Sequence, residues 1–589
     1  MTERTHAPRR VFLLAAVVLA AHGAPAIAAP GDLDSTFGSG GMVTTSVAPA
    51  ATVTALLQQP DGKLVAAGSA GGAIALARYL PDGSLDPTFG SGGIVMTYIT
   101  FDDSNGAEAI VRQPDGKLVI AGFTHVVTEF TSFQVLALLR YDETGSLDPN
   151  FGSGGVVTSA NLYDASAVVL QPDGKIVAGG AYFGSFKLMR VEPDGTLDST
   201  FGMGGLASAN FGGLDEDLRG LVLQSDGKLV GAGQTIPAFN KGDFALARFN
   251  PDGTLDPTFG TGGKVVTDLN PSFDQASDLV LQPDGKLVAA GWTPEGMAQL
   301  PRDFAVVRYD TAGNPDAAFG AGGVVTTDIG TNDDGSAALR EPNGRLVVAG
   351  TVDNEHIGLV RYDVDGSLDS TFGSGGIVFT NMITTFGTTG FVYAVVRQSD
   401  GKLVVGGNAV VAGTDAFMLA RYLGDCASTP LGGCRTSQTA ALKLNDNAVS
   451  SKNKLLWKWR KGQATSLDNL GTPTGTTSYT LCLYVGTAAA TAYTVPGGAH
   501  WNALGTTGFK YKDPSGAAAG IQKVIVKRGA DGKARALVRG KGVNLPNPAL
   551  PLALPVTAQL VNSANDICYT SAFGTATENS PTSFKAQSP

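Results

Sequence analysis

The 589-residue chain contains 79 glycines and 30 prolines, only 16% charged residues, and a formal net charge of −10. A turn-dense, weakly charged composition of this kind fits an all-β repeat array better than a helical protein. The four cysteines, Cys426, Cys434, Cys482 and Cys568, show no CxxC spacing, which argues against a zinc or dithiol redox site.

At the start of the chain Arg9 and Arg10 precede the apolar run VFLLAAVVLAA (11–21), and Ala26, Ile27 and Ala28 form a small-x-small cleavage site. Residues 1–28 therefore read as an export signal peptide, its apolar run too short to span a bilayer. RRVFLL is also similar to a twin-arginine signal, with Leu14 where lysine is usual, so both export routes stay open. No second long apolar segment follows. The expected product is a secreted protein without a membrane span, located in the periplasm, on the outer surface or outside the cell.

The stretch QPDGKLVAAG occurs at residues 59–68 and again at 282–291, with five near-copies elsewhere. The residue before each Asp-Gly or Asn-Gly turn stands at 60, 114, 172, 225, 283, 342 and 399, in steps of 54, 58, 53, 58, 59 and 57. A second motif also recurs seven times: FGSGG at 37, 89, 151 and 372, FGMGG at 201, FGTGG at 259 and FGAGG at 319. Such a period indicates a propeller or solenoid. Within residues 92–149 one unit parses as four short strands, GGIVMTYI, AEAIVRQ, KLVIAGF and VLALLRYD, bounded by turn residues. The strands are apolar on both faces, so each sheet needs cover on both sides. Seven sheets arranged radially, face against face, supply it, which predicts a seven-bladed β-propeller over residues 29–424.

The connector GDLDSTFGSGG (31–41) precedes the first unit, while the last ends at AFMLARYLGDC (416–426) without one. The amino-terminal piece is expected to close the ring there, with Leu33 and Phe37 as plugs. Joining ends roughly 390 residues apart costs about 5 kcal/mol plus a constant, so the seam needs an apolar interface. An open solenoid is the rival, and it would need polar caps.

The motifs LQPDGKLVxAG and FALARYxPDGSLDxTFGSGG resemble the delta-60 repeat family of bacterial proteins over residues 31–423. The resemblance implies a β-propeller array and export, and it carries no established enzymatic activity.

One rim of the ring should carry the uniform turns and the other the irregular loops, where binding usually resides. The loops of the irregular rim are acidic. Asp102, Asp103, Asp215, Asp217, Asp274, Asp333 and Asp334, with Glu216, Asp268 and Asp328 beside them, make a candidate binding face for a cation or a basic partner. The plainer reading is that each Asp caps a turn. DVDGSLD (363–369) has acidic spacing reminiscent of a calcium loop, but its counterparts LPDGSLD and NPDGTLD lack the first Asp, so it too reads as a turn. No metal and no cofactor is expected beyond that calcium option.

Outside the signal segment the histidines are His125, His356 and His500, one in each of three separate regions. No nucleophile elbow or catalytic triad can be assembled from them, and the FGSGG glycines lack the spacing of a phosphate loop. The expectation is a non-catalytic protein. The alternative is a propeller-fold hydrolase or lyase acting on carbohydrate through ring-face carboxylates.

Residues 427–589 hold 17 basic and 6 acidic residues, net +11, against 25 and 46, net −21, for residues 1–426. Strands such as SYTLCLYVG, GIQKVIVKRG, KARALVRGKG and LPVTAQLVN predict a β-sandwich-like domain over 435–589. LLWKWRKG (455–462) alternates, with Trp457 and Trp459 on one side and Lys458 and Arg460 on the other. A basic face is expected from Lys523, Lys527, Arg528, Lys533, Arg535, Arg539 and Lys541. It would either dock on the acidic propeller or grip an anionic envelope polymer, in a protein that is otherwise a monomer with an unidentified protein or glycan ligand. The four cysteines allow three pairings. The simplest joins Cys426 to Cys434, closing a linker over 425–434, and Cys482 to Cys568, with about 2.5 and 4.5 kcal/mol of loop-entropy stabilisation.

Overall fold

The computed structural model describes residues 30–588, except 100–104, 128–131, 240, 295–300, 342–343, 371, 384–386, 399–400, 427–429, 448–451, 476, 487, 496, 499, 517, 519, 543–544, 546–547, 549 and 563–566. The proposed signal segment and the candidates Asp102 and Asp103 lie outside the described residues.

Seven four-stranded antiparallel sheets form a seven-bladed propeller. Blade 1 comprises Thr52–Gln58, Leu64–Ala70, Ala73–Tyr79 and Ile94–Thr97, paired in that order. The first strands of blades 2 to 7 are Gly106–Arg112, Ala167–Leu170, Asp215–Leu223, Gln275–Leu281, Asp333–Arg340 and Gly390–Arg397. Leu64, Val65, Ala66 and Ala67, consecutive in one strand, are all fully buried, so both faces of the sheet are covered.

The blade boundary differs from the sequence parse by one strand. Ile94–Thr97, expected to open the second unit, pairs with Ala73–Tyr79 and completes blade 1. The reason is a side-chain lock in the intervening turn. Arg78 Nε donates to Asp86 Oδ2 at 2.8 Å, and its guanidinium lies 4.4 Å over the Phe89 ring. Lys63, the lysine of the QPDGK turn, reaches the same carboxylate at 3.1 Å. Arg78 Nη1 donates to the Glu143 carbonyl of blade 2 at 2.6 Å. The FGSGG segment is thus a turn within a blade that also clamps the neighbouring blade. The lock recurs as Arg140–Asp148–Phe151, Arg190–Asp198–Phe201, Arg248–Asp256–Phe259, Arg308–Asp316–Phe319 and Arg361–Asp369–Phe372.

In blade 7 the lock is built from both ends of the ring. Arg421 Nε donates to Asp34 Oδ2 at 2.8 Å and lies 4.3 Å over Phe37, while Lys402 reaches Asp34 at 3.0 Å. Met42–Thr45 pairs with Thr414–Tyr422 as the fourth strand, and Leu33 bridges Tyr422. The ring is closed, with Phe37 fully buried as its plug.

The C-terminal unit is a two-sheet antiparallel sandwich, with eight strands in one sheet and four in the other. One core fills it, centred on Trp457, Trp459, Tyr479 and Tyr493. The expected disulfide pairing is corrected: Cys426 bonds Cys482 and Cys434 bonds Cys568. The linker is not closed on itself. It is laced onto the four-stranded sheet, Cys426 packing beside Tyr484 and Arg435 bridging Tyr569. Both linker cysteines are spent on anchoring the linker to the sheet, a requirement that loop length alone does not express. At its start Asp425 joins the two units, accepting from Arg361 at 2.9 Å and from the Thr494 hydroxyl at 2.6 Å.

Closing 134 residues, the Cys434–Cys568 bond contributes about 5 kcal/mol in the chain-entropy account. The Cys434→Ser/Cys568→Ser variant is expected to lose about 2–5 kcal/mol. Urea unfolding followed by tryptophan fluorescence reads this, because Trp457, Trp459 and Trp501 all lie in the sandwich core.

Candidate functional site

A cavity of about 470 Å³ lies on the ring axis, lined by all seven first strands. That volume is within the range of small-ligand sites. Each blade brings the residue of one repeat position to it, from the first strand or, for Ser166, from the position just before it: Thr54, Glu108, Ser166, Arg219, Ser277, Ser336 and Tyr393. In blades 1, 2, 4, 5, 6 and 7 this residue is the extra one of a β-bulge, as where Val53 pairs with Gly68 and Ala55 with Ala67. A bulge leaves one residue unpaired and re-aims its side chain. The bulge also explains the glycine that ends KLVAAG. A Cβ at Gly68 would collide with the Thr52 carbonyl oxygen, and the same collision awaits at Gly122, Gly233, Gly291, Gly350 and Gly407.

Charged groups from several blades line the channel. Arg219 Nη2 pairs with Asp217 at 2.6 Å, and Arg302 Nη1 with Asp334 at 2.7 Å while stacking 3.9 Å over Trp292. Burial pushes the Glu108 carboxyl up to about 7; the charges of Asp164 and Asp217 add to this and Arg219 opposes it. Burial likewise raises Asp164, with Asp217 adding. Burial raises the Tyr393 hydroxyl too, followed by the charges of Asp415, Asp334 and Glu108. Asp278 is pushed up to about 6 by burial, although it accepts the Ala338 N–H of the next blade at 2.8 Å. A carboxyl near neutrality, a phenol and a guanidinium around one cavity can bind a polyhydroxylated ligand and exchange a proton with it.

Because the Glu108 carboxyl rises from 4.5 in the unfolded chain to about 7, the folded state holds the extra proton between those values. Its contribution is fully present below pH 4.5 and is lost as pH rises through 7. Between pH 5 and pH 8 the wild type is therefore expected to lose about 1–3 kcal/mol more stability than Glu108→Gln, measured by urea unfolding at each pH.

The acidic residues expected to form one binding face do not converge on one site. Asp217 and Asp334 belong to the ion pairs in the channel, and Asp215 is exposed. Asp274 and Asp333 are buried caps, each accepting two backbone N–H groups from the loop before it. Residues 363–369 form a turn, where Asp365 accepts the Ser367 N–H and hydroxyl and Asp369 pairs with Arg361. The channel ring was missed by the sequence reading, yet it has a signal: each member stands six residues before the turn residue of its repeat.

The sandwich presents a second surface. Lys523, Lys527, Arg535, Arg539 and Lys541 lie on the outward face of the eight-stranded sheet, joined by Lys443, Lys454, Lys458, Arg460 and Lys585. Arg528 and Lys533 are exposed beside the hairpin between two of its strands. Like charges stand directly opposite at Lys523–Arg539, Lys527–Arg535, Lys454–Lys541 and Lys443–Lys585. Among the described residues of this face only Lys585 is ion-paired, with Glu578. The disulfide to Cys482 and the Thr494 contact with Asp425 are on the other sheet.

The family model described as "Domain of unknown function (DUF5122) beta-propeller" matches residues 59–89, 113–151, 171–201, 224–259, 282–319, 341–372 and 398–425. The seven matches, one per blade, support a β-propeller repeat family. The seven matched segments hold the QPDGK-type turns and six of the seven side-chain locks, the seventh taking Asp34 and Phe37 from outside them, and every member of the channel ring falls outside them. No curated protein matches the chain. Among solved structures, a virginiamycin B lyase from Staphylococcus aureus is 12% identical, with 64% of this chain and 98% of that one covered and a TM-score of 0.39. A protein of unknown function from Dyadobacter fermentans is 11% identical over 67% and 96%, TM-score 0.37. An ulvan lyase of polysaccharide lyase family PL25 is 12% identical over 68% and 94%, TM-score 0.36.

Proposed function

We propose that the protein is an exported, non-catalytic binding scaffold of the cell envelope or the extracellular space. The basic sheet of the sandwich holds an anionic polymer, and the propeller presents its channel to a second ligand. One observation carries this reading: three like-charge pairs with no ion-pair partner among the described residues, Lys523–Arg539, Lys527–Arg535 and Lys454–Lys541, stand directly opposite on an open sheet face, an arrangement that costs stability unless an anion meets it. Two disulfides support export, since such bonds persist in oxidising compartments. No helix among the described residues is long and apolar enough to cross a membrane. The finer family reading, delta-60 repeats, rests on the LQPDGKLVxAG motif and also implies export. Retention of the full chain on heparin, falling steeply with salt, tests the reading; passage through the column at low salt would refute it.

A second reading is a hydrolase or lyase acting on carbohydrate. What favours it is the Glu108 carboxyl, poised at about 7 in a cavity that also holds Tyr393 and Arg219. It requires that a glycan panel yield cleaved products with the wild type, and none with Glu108→Gln.

A further inference from the structure

Two clusters of three carboxylates repeat at consecutive junctions of the ring. Asp243, Asp268 and Asp274 meet between blades 4 and 5, and Asp303, Asp328 and Asp333 meet between blades 5 and 6. In each cluster one oxygen per residue lies within 4.8 Å of the other two. The positions are equivalent: Phe244 pairs with Thr267 and Phe304 with Thr327, which puts Asp243 and Asp303 at the same point of their strands.

The two junctions differ in how their negative charge is met. At the first, Lys241 Nζ lies 2.8 Å from Asp268 and 3.9 Å from Asp243. The Thr293 hydroxyl donates to Asp274 Oδ1 at 2.5 Å, while Asp274 Oδ2 accepts the loop N–H groups. At the second junction Pro301 stands where Lys241 stood. Val352, the ladder partner of Asp333, brings methyl groups to the place of the Thr293 hydroxyl. Asp333 is 0% exposed; its Oδ2 takes the loop N–H groups and its Oδ1 has no hydrogen-bond partner. A fully buried carboxylate oxygen without a donor is expensive to keep and calls for an explanation.

We infer that Asp303, Asp328 and Asp333 form a calcium site at the junction of blades 5 and 6, the ion taking the part that the Lys241 ammonium plays one junction earlier. Three carboxylates and no nitrogen or sulfur donor make a hard, oxygen-only set, which selects calcium over softer metals. Asp328 is exposed, so the ion enters from the rim and keeps water on that side.

The test is calcium titration of the chelator-treated full chain by calorimetry, with thermal unfolding alongside. One calcium ion per chain and a raised melting temperature are expected. Asp328→Asn, at an exposed position, should fold normally and bind at least tenfold more weakly. Pro301→Lys, which installs the ammonium of the neighbouring junction, should abolish binding. No heat and no thermal shift in the wild type at millimolar calcium would overturn the inference, as would unchanged binding in Asp328→Asn.

Discussion

Asp34→Ala and Phe37→Ala together are expected to open the ring at blade 7 while leaving the other blades folded. Asp34 is 2% exposed and faces two cations, Arg421 at 2.8 Å and Lys402 at 3.0 Å. Removing the carboxylate strands both, and breaking a buried pair in this way costs about 3–5 kcal/mol. Phe37 is fully buried beneath the Arg421 guanidinium, and truncating a buried phenylalanine costs about 3–5 kcal/mol. The two side chains share one partner, so the costs will not simply add. The same pair of changes in blade 2, Asp148→Ala and Phe151→Ala, removes the same chemistry from a turn whose strands adjoin in sequence. At the seam the partners are 387 residues apart, and chain closure must be maintained against about 5 kcal/mol of loop entropy. Hydrogen exchange separates the cases. In the seam variant the amides of Met42–Thr45 and Thr414–Tyr422 are expected to exchange at least about 100-fold faster while those of blade 4 keep their protection. Unchanged exchange at Thr414–Tyr422 would show that the amino-terminal strand does not hold the ring shut.

The same lock explains which parts of the fold were legible in the sequence. The QPDGK turn repeats because its lysine, or Arg345 in blade 6, must reach the aspartate of the following turn, as Lys63 reaches Asp86 and Arg345 reaches Asp369. A motif bound to its neighbours by charge and by a positive-φ turn tolerates little change, so its period showed plainly and the blade count followed. The strand boundary was less legible. A four-residue strand such as Ile94–Thr97 has no signal for which neighbour it joins, and Arg78, Asp86 and Phe89 make that choice only in three dimensions. The cysteine pairing failed for a related reason, since two sheet strands far apart in sequence both border the linker. The channel ring went unseen because no single residue type fills it: only Ser166, Ser277 and Ser336 match. Thr54, Glu108, Arg219 and Tyr393 look like noise inside a repeat until the bulge shows them pointing at one axis.

Neutralising the basic sheet should move binding and stability in opposite directions. In the variant Lys523→Gln, Lys527→Gln, Arg535→Gln and Arg539→Gln, two of the directly opposed like-charge pairs disappear. Such opposition costs about 0.2–1 kcal/mol per pair, so at low salt the variant is expected to unfold at a higher urea concentration than the wild type. Affinity for heparin should fall. Each cation that meets an anionic site releases counterions and steepens the dependence of log affinity on log salt by somewhat under one unit. Losing four should flatten that slope by about three units and cost at least about 100-fold in affinity at low salt. A purely structural role for these side chains predicts the reverse on stability, because removing useful contacts weakens a fold. The outward positions of Arg535 and Arg539, both exposed, leave the core residues Val524, Val526, Ala536 and Val538 untouched, so the variant should fold. Greater stability with lost retention would mark a face kept for its ligand at the expense of the domain that carries it; unchanged retention would remove the polymer-binding reading, and lower stability would return these residues to the scaffold.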